Sequence, residues 1–434
     1  LNIFKQAREQ SGGMSALMGD LCGPKIRTGI ISPDGQEVKA GSKLIIEPGR
    51  DQGTVQHFGT NYEAFTADVQ AGQRVFIDDG RIVLRVLQQN GRQTECEVLS
   101  GGVLHGRKGI NLPDTKITAP SLTEYDRQCV AWAMDHDLDF LALSFVRSVQ
   151  DIQCLRDILQ DAQSDVRVIA KLETPQAIAQ KEAIILASDA ALVARGDLGV
   201  EMTLARVPLL QKEITQFCRV HGKPVIVATQ MLQSMINSPS ATRAEVSDIA
   251  NAIMDFTDTV LLSGETAIGR YPDQAVDTIQ EIAAVTESGL DGPGFVGAAP
   301  TACPEAQLPA TIAGCVAQLA HAIDAKLVAV WSEQGRLAQF LGKARMRIPI
   351  LGFSSRRKQC RQLCLNYGVM PCCCPMPTSI EGFARFIDCV AVDKGLAGLG
   401  DKVVLVTGRS LGAETCSNAI VIHQVTPAQS ASSV

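Results

Sequence analysis

The feature that most constrains this chain is a rhythm in its middle. Short apolar, β-branched runs begin at Leu138, Val166, Ala190, Val225 and Thr259. The intervals between them hold helical patterns, such as Ile152, Leu155, Ile158 and Leu159, or Val246, Ile249, Ala250 and Ile253. Buried runs of this length alternating with helices make βα units, and βα units make a parallel sheet. Each run ends in polar or charged residues: Ser144 to Arg147, Lys171 to Glu173, Arg195 to Asp197, Thr229 to Gln230, and Ser263 to Glu265. A doubly wound sheet collects its ligand at one switch-point crevice, whereas a (β/α)₈ TIM barrel turns every strand end toward one site. Successive decorated strand ends select the barrel. An earlier strand, Ser15 to Gly19, ends at Asp20 and adds a sixth.

Around that barrel the texture changes twice. Residues 28–111 hold short alternating segments (Lys43 to Glu47, Arg74 to Ile77, Ile82 to Val86, Cys96 to Leu99) punctuated by Gly and Asp, which reads as a small β domain inserted after one barrel strand. Ser288 to Ala310 is rich in Gly and Pro and reads as a linker. Beyond it, strand-like runs at Leu327 to Trp331, Pro349 to Phe353 and Lys402 to Thr407 alternate with helices, giving a C-terminal α/β domain. The expected organisation is therefore a barrel from 1–27 and 112–288, a β lid over 28–111, a linker over 289–310 and an α/β domain over 311–434. A chain of 434 residues has room for about three such domains.

Composition narrows the function. Forty Lys and Arg against 46 Asp and Glu leave a net charge of -6, and aromatic residues are only 4%. That balance excludes a nucleic-acid binder and an anionic-membrane surface binder. No apolar run reaches the roughly 18 residues of a membrane span, neither end reads as a secretory signal, and the expected location is cytoplasmic. The 14 cysteines are irregularly spaced in a large chain, which suits reduced thiols. Cys372, Cys373 and Cys374 are consecutive, and three successive strand residues cannot all face one ion. His105, His136 and His221 are scattered singly and support no site.

The chemistry concentrates in two stretches, Ile169 to Glu173 and Ala194 to Gly199. Glu173 and Asp197 at neighbouring strand ends can share one hard cation through oxygen ligands, leaving positions for water and substrate oxygens. Lys171, two residues before Glu173, lies on the same strand face and reaches the same bound anion. After Arg195, the Gly196-Asp197-Leu198-Gly199 turn offers backbone N–H groups to a carboxylate or phosphate. The bland reading of this set is a surface salt-bridge cluster with a tight turn. Thr229 places a hydroxyl at the next strand end, as a substrate contact, a proton relay or simply a cap. Asp20, Lys25 and Arg27 surround a Gly-Pro turn that suits phosphate oxygens, or else forms a solvated basic connection into the β domain.

Taken together, these motifs resemble the pyruvate kinase family in order and spacing. They are Gly23-Pro24-Lys25-Ile26-Arg27-Thr28-Gly29, the segment Lys108 to Pro113, Lys171-Leu172-Glu173, Ala194 to Glu201, Ala228 to Met235, Thr242 to Glu245 and Leu261 to Ala267. The resemblance runs from about residue 12 to 430. It implies transfer of the phosphoryl group of phosphoenolpyruvate to ADP, giving pyruvate and ATP, as the last step of glycolysis. It also implies a divalent ion (Mg²⁺ or Mn²⁺), a mobile lid, a C-terminal domain that binds effectors, and a symmetric homo-oligomer, a tetramer in the family. Carried over, Lys171 stabilises the transferring phosphoryl, and Glu173 and Asp197 ligate the metal. Arg195, Gly196, Asp197 and Thr229 contact substrate, Thr229 is also a candidate proton donor, and Arg27 and Lys108 match nucleotide- or phosphate-contacting positions, Arg27 with a catalytic part.

Three departures from the family shape the expectations. Potassium-dependent members resemble Asp-Thr-Lys-Gly-Pro-Glu, whereas here Leu21 and Cys22 follow Asp20 and a lysine, Lys25, stands where the glutamate would be. Asp20, Leu21 and Lys25 thus mark the monovalent-cation region, with Lys25 as a tethered cation, so K⁺ is not expected to be required. The family carries two barrel strands upstream of Ser15, whose absence implies either further upstream sequence or weak activity of this chain by itself. The loop Ser332 to Leu337 replaces a Thr/Ser-rich effector loop; Glu333 repels a phosphate and Leu337 removes a hydroxyl, so fructose 1,6-bisphosphate is not expected to activate strongly. Two other functions compete: a metal-dependent lyase or aldolase acting on a pyruvate enolate, and a non-catalytic regulatory relative.

Overall fold

The computed structural model describes residues 1–31, 34–289, 304–407 and 419–427. Six parallel strands form the central sheet in chain order: Met18–Leu21, Phe140–Leu143, Arg167–Leu172, Ala190–Ala194, Val225–Ala228 and Thr259–Leu261. These segments carry apolar side chains on both faces because both faces are covered. One face packs on the helices through Leu141, Val168, Val193, Ile152 and Ile214. The other closes inward on Phe140, Ala142, Ile169, Leu192 and Ile226. Capping boxes at Thr123 with Asp126, Ser148 with Asp151 and Thr242 with Glu245 start three of the covering helices, so the chain turns from strand to helix at set places. Among the described residues the sheet is curled but open: its first and last strands are each paired on one side only.

The first strand corrects the expected boundary. It runs Met18–Leu21 rather than Ser15 to Gly19, because Met18 pairs with Phe140 and Leu21 with Leu143. Asp20 and Leu21 therefore lie within the strand on opposite faces, and Leu21, 2% exposed, belongs to the helix-side core.

Between that strand and the helix Glu124–Asp135, the chain builds the lid. Its main sheet has the order His57–Thr60, Lys43–Pro48, Gln93–Ser100, Ile82–Asn90, Arg74–Ile77, Ile110–Asn111, and Gln36–Val38 pairs separately with Gly102–Leu104. Alternating burial along Lys43–Pro48 and Gln93–Ser100 turns one face onto a core of Ile46, Phe58, Ile77 and Leu84. The chain's exit and return run side by side. Arg27 bridges Gly109, Thr28 donates its N–H to the carbonyl of Lys108 at 2.8 Å, and Ile110 donates to that of Ile26 at 2.9 Å.

The C-terminal sheet has the order Val369–Cys373, Ile350–Ser354, Leu327–Trp331, Lys402–Thr407, Ala419–Gln424, with only the last strand antiparallel. The helix Pro304–Ala322 begins inside the segment read as a linker, whose residues 290–303 lie outside the described residues. This unit docks on the barrel where the strands begin. From the helix Arg357–Leu363, Arg361 reaches Asp139 and Asp137, both at 2.7 Å, and Lys358 reaches Asp165 at 2.6 Å. Just after the helix Arg336–Lys343, Arg345 joins Lys343 on the buried Asp258. The opposite end, where the strands finish, is left to the lid.

Candidate active site

Lys171 stands near the end of the third barrel strand with its ammonium on the inner face. Its Nζ lies 3.0 Å from Glu173 Oε1, 2.7 Å from Ser144 Oγ, and 3.1 and 3.2 Å from the two oxygens of Asp20. Burial works against its charge, but Glu173 and Asp20 outweigh that and hold the ammonium above the ordinary lysine range. Glu173 is 1% exposed and accepts the N–H of Phe145 at 2.9 Å. Phe145 adopts a left-handed φ of 53°, which aims that N–H at the carboxylate.

Burial raises both Glu173 and Asp197 above the ordinary carboxylate range. Lys171 opposes the rise at Glu173 while Asp197 adds to it. At Asp197, Lys25 and Lys171 oppose, and Asp79 and Asp20 add repulsion. The inner face thus holds more negative than positive charge, all of it on hard oxygen donors, which fits a divalent cation. Among the described residues no set of three or more His, Cys, Asp or Glu side chains could enclose a metal. A pair of carboxylates that leaves the remaining positions to water and substrate oxygens is consistent with that.

Asp197 sits in the first turn of the helix Arg195–Glu201, which starts directly from the fourth strand. Beside it, Gly196 donates its N–H to Thr229 Oγ1 at 2.7 Å. Thr229 and Gln230 have φ of 70° and 55°, a costly conformation for a β-branched residue that brings the hydroxyl over the turn. Arg195 departs from the expected substrate contact. Its guanidinium turns behind the strand end, pairing with Asp248 at 2.6 Å and donating to the carbonyl of Thr229 at 2.8 Å. The strained backbone at Thr229 is held from behind.

A cleft separates this floor from the lid, with Lys25, Asp79, Asn111, Asp197 and Glu201 on its walls. Lys108 and Arg27 lie in the paired connection into the lid. Lys108 Nζ is bound to Asp78 at 3.0 Å, and the guanidinium of Arg27 donates to the carbonyl of Arg107 at 3.1 Å. Leu21, expected in the monovalent-cation region, is in the core instead, while Asp20 and Lys25 do face the site.

Sequence reasoning missed two residues. Ser144 was visible only as one polar residue among several at a strand end. Glu201 closes the helix that carries Asp197, and its Oε1 accepts from Asn111 of the lid base at 2.8 Å. Burial pushes its carboxyl up to about 7, with Asn111 opposing and Asp197 adding to the rise.

At the far loop, Glu333 turns onto the end of a neighbouring strand, accepting from Ser354 Oγ at 3.1 Å and from the N–H and Oγ of Ser355 at 3.2 and 3.1 Å.

Two family models match this chain: one described as "Pyruvate kinase, barrel domain" over residues 1–276, and one described as "Pyruvate kinase, alpha/beta domain" over residues 310–423. Among curated relatives, a pyruvate kinase of Mycobacterium tuberculosis is 37% identical over 424 residues, covering 96% of this chain and 88% of that protein. One of Geobacillus stearothermophilus is 36% identical over 425 residues, covering 97% and 72%. The crystal structure of a pyruvate kinase from Cryptosporidium parvum superposes with a TM-score of 0.89 at 32% identity, over 98% of this chain and 87% of that one.

Proposed function

This chain belongs to the pyruvate kinase family, enzymes that pass the phosphoryl group of phosphoenolpyruvate to ADP, and on that premise we propose how its residues divide the work. Lys171 places its ammonium against the migrating phosphoryl. A loose phosphoryl-transfer transition state demands positioning and positive charge more than covalent chemistry, and a half-buried ammonium held by Glu173, Asp20 and Ser144 is already positioned. Glu173 and Asp197 would hold Mg²⁺ or Mn²⁺, which when bound would supply further positive charge beside the phosphoryl.

Thr229 and Gly196 orient the substrate. Because Thr229 Oγ1 accepts from Gly196, its own proton stays free to be donated, and we assign it, through water, to protonating the enolate carbon. Arg195 is a positioning residue behind Thr229. Arg27 and Lys108 are the nucleotide-side cations, released from Arg107 and Asp78 when the lid meets ADP. Lys25, facing Asp197, takes the place of a monovalent ion, so turnover needs no K⁺. The same reading divides the chain into a barrel (1–27 and 112–288), a lid (28–111) and an effector-type unit (311–434), and makes it a cytoplasmic homotetramer.

The observation that carries this reading is the convergence of Lys171 on Glu173 at 3.0 Å, with Lys171 also acting on the charge of Asp197. A coupled ADP-phosphorylation assay on this chain, with and without K⁺, tests it. No ATP formed from phosphoenolpyruvate and ADP in either buffer would overturn it. The lyase and non-catalytic readings are not favoured, since the matching relatives are named as pyruvate kinases.

A further inference from the structure

Away from the catalytic cleft, cysteines gather where the edge strand of the C-terminal sheet finishes. Cys372 and Cys373 end the strand Val369–Cys373, Cys374 follows it, and Cys360 stands in the middle of the helix Arg357–Leu363 that packs on it. Strand alternation divides the three neighbours between two faces. Cys372 and Cys374 pack on the core around Phe353 and Phe383. Cys373 therefore faces the other way, toward the helix.

There the Cys360 sulfur lies 3.4 Å from the carbonyl oxygen of Cys372 and 3.6 Å from that of Ser354, the residue paired with Cys373 across the ladder. The thiols of Cys360 and Cys373 hydrogen bond to one another, and Cys373 also reaches the carbonyl of Ser355 at 3.8 Å. Cys364, just past the helix, is turned aside to the carbonyl of Met14 at 2.8 Å. The pair is unequal. Cys360 is wholly buried, and burial pushes its thiol up to about 12, so it stays protonated. Cys373 is partly exposed, so a dissolved oxidant meets it first.

We propose that Cys360 and Cys373 form a reversible dithiol–disulfide couple, a site of oxidative modification separate from the catalytic one. A hydroperoxide gives one oxygen to the Cys373 thiol, making a sulfenic acid, and leaves as an alcohol, or as water from hydrogen peroxide. The Cys360 sulfur then attacks the Cys373 sulfur: the S–S bond forms, the S–O bond breaks, and the Cys360 proton leaves with the hydroxyl as water. Two electrons pass from the sulfurs to the peroxide, and a dithiol reductant returns them. An S–S bond of about 2.0 Å is far shorter than a thiol–thiol hydrogen bond, so closing it draws the helix toward the strand. That helix seats the C-terminal unit on the barrel: Cys360 lies between Gln359, which accepts from Arg167, and Arg361, which pairs with Asp137 and Asp139.

Peroxide treatment of the full chain, alkylation of the remaining thiols and tandem mass spectrometry without reduction test this. One disulfide, Cys360 to Cys373, should form with the loss of two thiols, and dithiothreitol should restore both. Cys373→Ser, at a partly exposed position, should lose the link and keep the turnover of the reduced chain. In Cys360→Ala the sulfenic acid has no resolving thiol, so Cys373 should pass to sulfinic acid several-fold more than in the unaltered chain. Amide hydrogen exchange over Arg357–Leu363 should change on oxidation of the unaltered chain and not of Cys373→Ser. A link running to Cys372 or Cys374 instead would overturn the proposal. So would equal sulfinic acid at Cys373 with and without Cys360, exchange that responds alike in both chains, or peroxide that leaves both thiols open to alkylation.

Discussion

Lys171 on the third barrel strand reaches past the second to Asp20 on the first, with its Nζ 3.1 and 3.2 Å from the two carboxylate oxygens. Ser144, one residue beyond the second strand, sits between them, 2.7 Å from the ammonium and 3.3 Å from Asp20. One cation thus holds three strand ends in register at the point where chemistry is proposed.

Lys171→Met should lower turnover by about 10²–10³-fold or more, the effect of deleting one preorganised charge at a reacting centre. It should also cost about 3–5 kcal/mol of stability in metal-free buffer, because it leaves Glu173 buried without its ion partner. Thermal melts with and without Mg²⁺ check the second point: the ion should restore part of the lost stability to the variant. Wild-type turnover in Lys171→Met would remove its role.

Replacing Lys25 separates the monovalent-ion question from the rest of the mechanism. The unaltered chain should turn over equally in Na⁺ and K⁺ buffers. Lys25→Glu should lose about tenfold or more in Na⁺, the kinetic equivalent of about 1.4 kcal/mol, and regain activity as K⁺ is added. Steady-state rates across a K⁺ titration at constant ionic strength measure both, and a strong K⁺ requirement in the unaltered chain would contradict the assignment.

Glu201 predicts a pH signature in stability. Its carboxyl is pushed up to about 7 in the folded chain, against an ordinary value of 4.5. Between those two values the folded state holds a proton that the unfolded state has released, so stability falls as pH rises through that window. Above it the penalty is complete, on the order of 3 kcal/mol, because each tenfold gain in proton affinity on folding is worth about 1.4 kcal/mol. Glu201→Gln keeps an acceptor for Asn111 and removes the titration. Its urea midpoint should match the unaltered chain near pH 4.5 and exceed it above pH 7.

Asp258 makes a contrasting prediction at the far end of the barrel. Its carboxylate, 1% exposed, takes Lys343, Arg345 at 3.2 Å and the N–H of Val225 at 2.8 Å. Asp258→Asn should cost about 3–5 kcal/mol by leaving two buried cations without their anion. The pair Asp258→Asn with Lys343→Met should cost less than the sum of the singles, which a double-mutant cycle by urea unfolding measures. The apparent KM for phosphoenolpyruvate should not move, since the change lies away from the cleft.

The parts of this fold legible in the sequence are those fixed by local pattern. Ala190–Ala194 and Val225–Ala228 read as strands from composition alone because both their faces are buried. Lys171 and Glu173 were readable as a pair because strand alternation puts residues two apart on one face. Arg195 was not. It opens a helix, and its direction is decided by Asp248, far along the chain, so no local pattern announces that it points away from the cleft. The first strand shows what a motif comparison leaves out: the resemblance puts Leu21 in the monovalent-cation region, whereas its ladder to Phe140–Leu143 makes it core. The short lid strands His57–Thr60 and Ile110–Asn111 carry too few residues for a period, and Glu201 gains its environment only when Asn111 meets it from the lid.

The lid's tether limits how it can travel. Outgoing and returning chain are laced together by the Arg27–Gly109 bridge and the amides of Thr28 and Ile110. The two passages and the hydrogen bond from Asn111 to Glu201 therefore tie the lid to the barrel at one edge, so any change in the tether is felt at the cleft wall that Glu201 forms.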